Sequence, residues 1–259
     1  MHKILISDSM NSIAEKILNS NNLKVDVKTD LKIDELKKII PEYDGLIVRS
    51  ATKVTKEIID IAKNLKIIGR AGAGVDNIDL EYAKNKGILV MNTPGGNTNA
   101  TAEHTFSLIL SVYRNITEAN ISTHKGLWEK KKFKGLELRD KCIGLIGFGN
   151  VASRVAEISQ GFNMKVITYS KSFENRKNQF PYVESVELNE LLINSDIISF
   201  HCKLPKDGKS ILYLNDLKKM KNKAIIVNTA RGNLINESDL KTALNESIIM
   251  GAGLDVFSD

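Results

Sequence analysis

Apolar residues along this chain fall into short continuous runs separated by polar, helix-spaced segments. Residues 3–7, 45–48, 65–69 and 88–91 form one such series, with the more polar segment 25–28 read as a strand beside them, and residues 142–146, 164–169, 196–200, 224–227 and 248–254 form a second. Runs this short, apolar on both faces, predict buried parallel strands. Helical spacing lies between them at 11–18, 34–40, 56–63 with Thr55 as cap, 80–85 with Asp79 as cap and Gly87 as stop, 188–193, 216–220 with Asn215 as cap, and 237–245 with Asn236 as cap. Strand and helix alternate twice over, which predicts an α/β protein with two parallel sheets. The strongest breaker cluster, Asn92-Thr93-Pro94-Gly95-Gly96-Asn97, predicts a boundary between a first domain, 1–97, and a second, 98–259. A long apolar helix is expected over 100–115, its wide apolar face buried between domains or subunits, and another over 117–126.

One strand is followed by a turn with its own chemistry. After 142–146 comes Gly147-Phe148-Gly149-Asn150-Val151-Ala152, then a helix with Val151, Val155 and Ile158 on one face, Gly161 at its end, and a strand to Tyr169. Gly147 permits a tight turn, Gly149 lets a pyrophosphate approach the backbone, and Ala152 lets helix and strand pack closely. The helix N-terminus offers unpaired N–H groups to phosphates. This is the context a dinucleotide-binding fingerprint requires, although a plain structural turn has the same letters.

Ligands of open α/β sheets sit beyond the carboxyl ends of the strands. Arg49, the Ala73-Gly74 turn, His201, Arg231 and Asp255 all fall there, outlining a cleft between two sheets. A guanidinium at Arg231 can hold a carboxylate in bidentate fashion or form a structural ion pair. Arg49-Ser50 can hold a second anionic group or lie on the surface. Gly72 and Gly74 free backbone N–H groups for an anion nest or simply make a tight turn. Among the histidines, His2 is terminal, His124 reads as surface, His104 as structural, and His201 as lining the cofactor crevice.

The length of 259 residues accommodates about two domains. The net charge of +6 comes from lysines spread along the chain, and the run Lys130-Lys131-Lys132 has no aromatic ladder beside it. This favours a solvated surface and a field that attracts anionic substrates over nucleic-acid binding. No apolar run is long enough to span a membrane, no signal peptide opens the sequence, and two cysteines give no disulfide framework, so a cytoplasmic protein without metal ligands is expected.

With these residues in view the chain resembles the D-isomer-specific 2-hydroxyacid dehydrogenases, over essentially its whole length. The motifs are Leu46-Ile47-Val48-Arg49-Ser50, residues 69–76 (GRAGAGVD), 91–104 (MNTPGGNTNATAEH), 144–152, 227–232 (VNTARG) and 251–257 (GAGLDVF). Jointly they are highly specific, and the Pro-Gly-Gly-Asn-Thr and Gly-Arg-Ala-Gly pieces favour the phosphoglycerate-oxidising branch. The resemblance implies two Rossmann- or flavodoxin-like domains, the first binding substrate and the second NAD. It implies oxidation of 3-phospho-D-glycerate to 3-phosphohydroxypyruvate in serine biosynthesis, by a homodimer or higher homo-oligomer. It places Gly147, Gly149, Asn150 and Val151 at the pyrophosphate, Ala73, Cys202, Thr229 and Ala230 along the cofactor, and Asp255 at the nicotinamide amide. Arg231 matches the catalytic arginine, Gly74 and Val75 the backbone groups that grip the carboxylate, and Arg49 and Ser50 the phosphate side.

Two departures stand out. Ser170, followed by Lys171, occupies the position where the family usually has an aspartate for the adenosine ribose, so NADP becomes possible beside NAD. The family's catalytic glutamate is expected immediately after Asp259 and its catalytic histidine further on, so these 259 residues alone are expected to be inactive. The competing expectations are a glyoxylate or hydroxypyruvate reductase, another D-2-hydroxyacid dehydrogenase, or a dinucleotide-sensing module without turnover.

Overall fold

The computed structural model describes residues 1–205 and 207–258, and the chain divides into two compact units, Met1–Asn97 and Thr98–Asp259. The first unit runs β1 (Lys3–Ile6), α1 (Ile13–Ser20), β2 (Lys24–Val27), α2 (Ile33–Ile39), β3 (Gly45–Val48), α3 (Lys56–Ile61), β4 (Ile67–Arg70), α4 (Leu80–Asn85) and β5 (Leu89–Asn92). Its five strands are all parallel, in the order β2-β1-β3-β4-β5. Leu5, Leu46, Val48 and Ile68 are fully buried at the centre of that sheet, against Ile58 of α3 and Leu36 of α2. Asp79 caps α4 by accepting from the backbone N–H of Tyr82. Thr55 stands at the cap position of α3, but its hydroxyl makes no capping bond.

The second unit runs α5 (Thr98–Tyr113), α6 (Ile116–His124), β6 (Cys142–Ile146), α7 (Asn150–Gly161), β7 (Lys165–Tyr169), β8 (Val183–Ser185), α8 (Leu188–Asn194), β9 (Ile197–Phe200), α9 (Leu214–Leu217), β10 (Ile225–Asn228), α10 (Glu237–Asn245) and β11 (Gly251–Leu254). Six parallel strands lie in the order β11-β10-β9-β6-β7-β8. Every residue of β6, β9 and β10 is buried, as expected where helices cover both faces of a sheet.

Several expectations change. The strand β8 carries no signal in the sequence, because three residues between turns leave no periodicity to detect. β11 begins at Gly251, not at 248, since Ile248 and Ile249 belong to the turn after α10. Asn215 lies inside α9, and the cap position is held by Tyr213, whose N–H donates to the Asp216 carboxylate at 3.2 Å. The buried face of α7 is Ala152, Val155, Ala156 and Ser159, with Val151 and Ile158 at its margin. The apolar face of α5 is accounted for within its own unit: Ala102, Phe106, Ile109 and Tyr113 pack into the core beneath α7, and Phe106 stacks on Phe162 at 5.3 Å. Among the described residues, no helix is long and apolar enough to cross a membrane.

Candidate active site

Strand register lines up the candidate residues of the second unit. Ile146 pairs with Tyr169 on one side and with Phe200 on the other, Phe200 with Asn228, and Asn228 with Leu254. The residues that follow these strands therefore leave the sheet along one edge, in the order Asp255, Thr229, His201, Gly147, Ser170. The order of strands reverses between β6 and β9, so this edge holds the topological switch point at which doubly wound sheets bind ligands.

The glycine turn sits at the middle of that edge. Gly147 has φ +91°, and a Cβ there would lie 2.7 Å from the carbonyl oxygen of His201. Only glycine fits this conformation and this space. Phe148 is buried and packs edge-on against Phe173 and Phe180, at 4.7 and 5.2 Å, which anchors the turn. Gly149 differs from Gly147: it has ordinary extended dihedrals at the N-cap of α7, and a Cβ there would meet nothing within 4 Å. Open space before the unpaired N–H groups of a twelve-residue helix is a cradle that fits a pyrophosphate.

Ser170 follows β7, with its hydroxyl 3.1 Å from that of Ser172. Arg176, which no sequence motif marks, joins the site here. Its guanidinium lies over the rings of Phe148 and Phe180, 5.8 and 5.2 Å from their centroids, and donates to the Phe148 carbonyl at 3.3 Å. A cation is thereby held beside the glycine turn, on the side of β7.

On the other side of the switch point, Asn228 shapes the loop carrying Thr229, Ala230 and Arg231. Its buried side chain accepts from the Ala230 N–H at 3.0 Å and donates to the Arg231 carbonyl at 2.7 Å. The Arg231 guanidinium donates to the Ala230 carbonyl at 2.6 Å. His201 contacts the buried hydroxyl of Ser199 at 2.9 Å, and desolvation pushes its imidazole down to about 3. Burial likewise pushes the Cys202 thiol up to about 11. Both groups are therefore neutral linings of the edge. His104, expected to be structural, reaches Asp255, with Nε2 3.2 Å from Oδ1.

In the first unit, Arg49, Ser50, Arg70, Gly72, Ala73 and Thr93 line a cavity of about 290 Å³ at the carboxyl ends of β3, β4 and β5. The buried Asp8 carboxylate holds the β3 end, accepting from Arg49 N–H at 2.6 Å and from the Thr52 hydroxyl at 2.5 Å. Arg70 is an addition to the residues that sequence placed in the site. A Cβ on Gly72 would lie 1.5 Å from an Arg70 guanidinium nitrogen, so the glycine makes room for that side chain. The Gly72 N–H donates to the Arg70 carbonyl at 2.8 Å and is not free to serve an anion nest. Gly74 and Val75 continue the same loop, which Asn92 ties down by donating to the Ala73 carbonyl at 2.7 Å.

Residues 106–259, more than half of the chain, match the sequence profile of the D-isomer specific 2-hydroxyacid dehydrogenase NAD binding domain. The chain belongs to the D-isomer-specific 2-hydroxyacid dehydrogenase family. The matched residues lie within its second unit, and the cofactor is a nicotinamide dinucleotide. A hydroxypyruvate reductase of Thermotoga maritima is 45% identical over 99% of this chain and 83% of its own length. A D-3-phosphoglycerate dehydrogenase of Archaeoglobus fulgidus is 41% identical over 98% of this chain but 48% of its own, so the chain spans about half the length of that relative. An acyclic imino acid reductase, solved in complex with NADPH and D-Arg, superposes with a TM-score of 0.89 at 35% identity, over 99% of this chain and 83% of the other.

Proposed function

We propose that this 2-hydroxyacid dehydrogenase chain serves the NAD-dependent oxidation of 3-phospho-D-glycerate at C2 to 3-phosphohydroxypyruvate, the step that leads to serine. The observation that carries the reading is the pairing of Arg49 and Arg70 on one cavity with Ser50 and Thr93. Two guanidinium groups suit a phosphate, which a single fork cannot neutralise. In this reading Gly147, Gly149, Asn150 and Val151 hold the pyrophosphate, and Ser170 the adenosine ribose. Ala73, Cys202, Thr229, Ala230 and Asp255 line the rest of the cofactor. Arg231 orients the carboxylate and the C2 oxygen, and the backbone of Gly74 and Val75 grips the carboxylate. The nicotinamide, when bound, supplies the acceptor for the C2 hydride. The protein's contribution is alignment of C2 and exclusion of water.

A second reading, hydroxypyruvate reduction, is favoured by the Thermotoga relative, of which the chain covers much more than it does of the phosphoglycerate enzyme. Titration calorimetry separates the two. 3-Phospho-D-glycerate binds the NADH-loaded chain, and Arg49→Ala and Arg70→Ala each weaken it about tenfold while leaving hydroxypyruvate unchanged, the loss of one charge-assisted contact. Equal losses for the two ligands would assign the cavity to the unphosphorylated acid.

The end of β7 bears on the choice of dinucleotide. Ser170 places no carboxylate against a 2′-phosphate, and Arg176 holds a cation nearby. We expect weak discrimination between NADH and NADPH, and Ser170→Asp should shift the ratio of dissociation constants toward NADH by about tenfold or more, as a carboxylate facing a phosphate dictates. An unchanged ratio would remove Ser170 from the ribose site.

A homodimer also belongs to this reading. With the apolar face of α5 used inside its own unit, the support comes from exposed Ile116 and Ile121 on α6 and from Leu127 and Trp128 beyond it. Sedimentation of the chain at micromolar concentration should show a dimer, and a monomer would dismiss it.

A further inference from the structure

The helix α5 lies directly on the glycine face of β11. A Cβ on Gly251 would meet Val112 Cγ1 at 2.8 Å, and one on Gly253 would meet Leu108 Cβ at 3.0 Å. Strand positions 251 and 253 share a face, Asp255 follows one residue past the strand end with its N–H still bonded to the Asn228 carbonyl, and helix positions 112, 108 and 104 share a face. The two series run in opposite directions, so the next contact in the sequence is Asp255 with His104. That contact is made, with His104 Nε2 3.2 Å from Asp255 Oδ1. A carboxylate only accepts, so Nε2 carries the proton.

The next residue of the helix repeats the device. The Thr105 hydroxyl lies 2.9 Å from that of Thr229, in a buried contact. Thr105 donates to the Thr101 carbonyl at 2.8 Å, which leaves Thr229 as the donor to Thr105. Two consecutive side chains of α5 therefore fix the ends of β10 and β11. Stability does not explain the first of them, because His104 and Asp255 are each about half exposed, at 47% and 50%, and such pairs contribute little.

The adenosine half of a dinucleotide lies over the strand that follows the glycine turn, here β7. The other half crosses the switch point to the ends of β9, β10 and β11, and α5 pins the last two of these. We propose that His104 is a positioning residue for the nicotinamide. Its Nε2–H holds Oδ1 of Asp255, and Oδ2 is thereby turned to accept the N–H of the nicotinamide carboxamide. This inference rests on the dinucleotide reading of the edge given above.

The test compares two ligands that share the pyrophosphate cradle. NADH carries the nicotinamide, whereas ADP-ribose stops short of it. In calorimetric titrations of the 259-residue chain, His104→Ala should weaken NADH by about tenfold, the worth of one oriented hydrogen bond, and leave ADP-ribose unchanged. His104→Gln, which keeps an N–H donor, should recover most of the loss. Asp255→Asn should show the same selective loss, and adding His104→Ala to it should cost little more, because the two side chains act as one unit. Unchanged NADH affinity in a folded His104→Ala protein, or equal losses for both ligands, would overturn the role of His104 and leave the dinucleotide site standing. Failure of the unaltered chain to bind either ligand would overturn the site and this inference together.

Discussion

Gly149→Val weakens NADH binding by about a hundredfold or more, while the protein unfolds at the same temperature as the unaltered chain. The magnitude is that of two or more charge-assisted hydrogen bonds from the α7 N-terminus to the pyrophosphate, each worth about 1.5–3 kcal/mol. The separation of binding from folding comes from the geometry. Gly149 has dihedrals that valine tolerates, and open space where its side chain would go, so the substitution fills only the cradle. Gly147→Val should do the reverse. At φ +91°, with the His201 carbonyl oxygen 2.7 Å from where a Cβ would sit, it should lower the melting temperature before any ligand is added. Isothermal titration and thermal denaturation of the two variants check this. A folded Gly149→Val protein with ordinary NADH affinity would move the pyrophosphate away from this turn.

On the proposed phosphoglycerate reading, we expect a polypeptide of residues 1–259 to turn over 3-phosphoglycerate about 10²–10⁴-fold more slowly than one extended by a glutamate and a histidine as the family resemblance implies, the usual contribution of general acid–base catalysis. Removing a hydride from C2 requires a base for the hydroxyl proton. His201, pushed down to about 3, is too weak a base near neutrality, and Cys202, pushed up to about 11, stays a thiol there. The guanidinium of Arg231 does not release its proton at any ordinary pH. His104 is committed through Nε2 to Asp255. The assay is NADH formation from 3-phosphoglycerate, and its reverse, on both polypeptides. Equal rates would mean that a residue within 1–259 supplies the proton path.

Features that depend on neighbours along the chain are readable in the amino-acid sequence. The run Cys142–Ile146, the two glycines and the helix from Asn150 are one local unit, and their order alone marks a phosphate-binding turn. The caps at Asp79 and Asn236 were legible for the same reason, since each side chain bonds a backbone N–H three residues on. The central strands β6, β9 and β10 are legible because both of their faces are apolar. Features that depend on distant partners emerge only from the fold. Arg70 enters the first unit's cavity because Gly72 yields it space, and Arg176 reaches the glycine turn because the Phe148 and Phe180 rings hold it. The wide apolar face of α5 suggested a surface between domains or subunits, yet its own unit covers it. His104 meets Asp255 across 151 residues of chain only because two glycines let a helix settle onto a strand. Local patterns record the bonds a segment makes with itself, whereas the chemistry of a strand edge is set by register and packing, which bring together residues that carry no mark of one another in sequence.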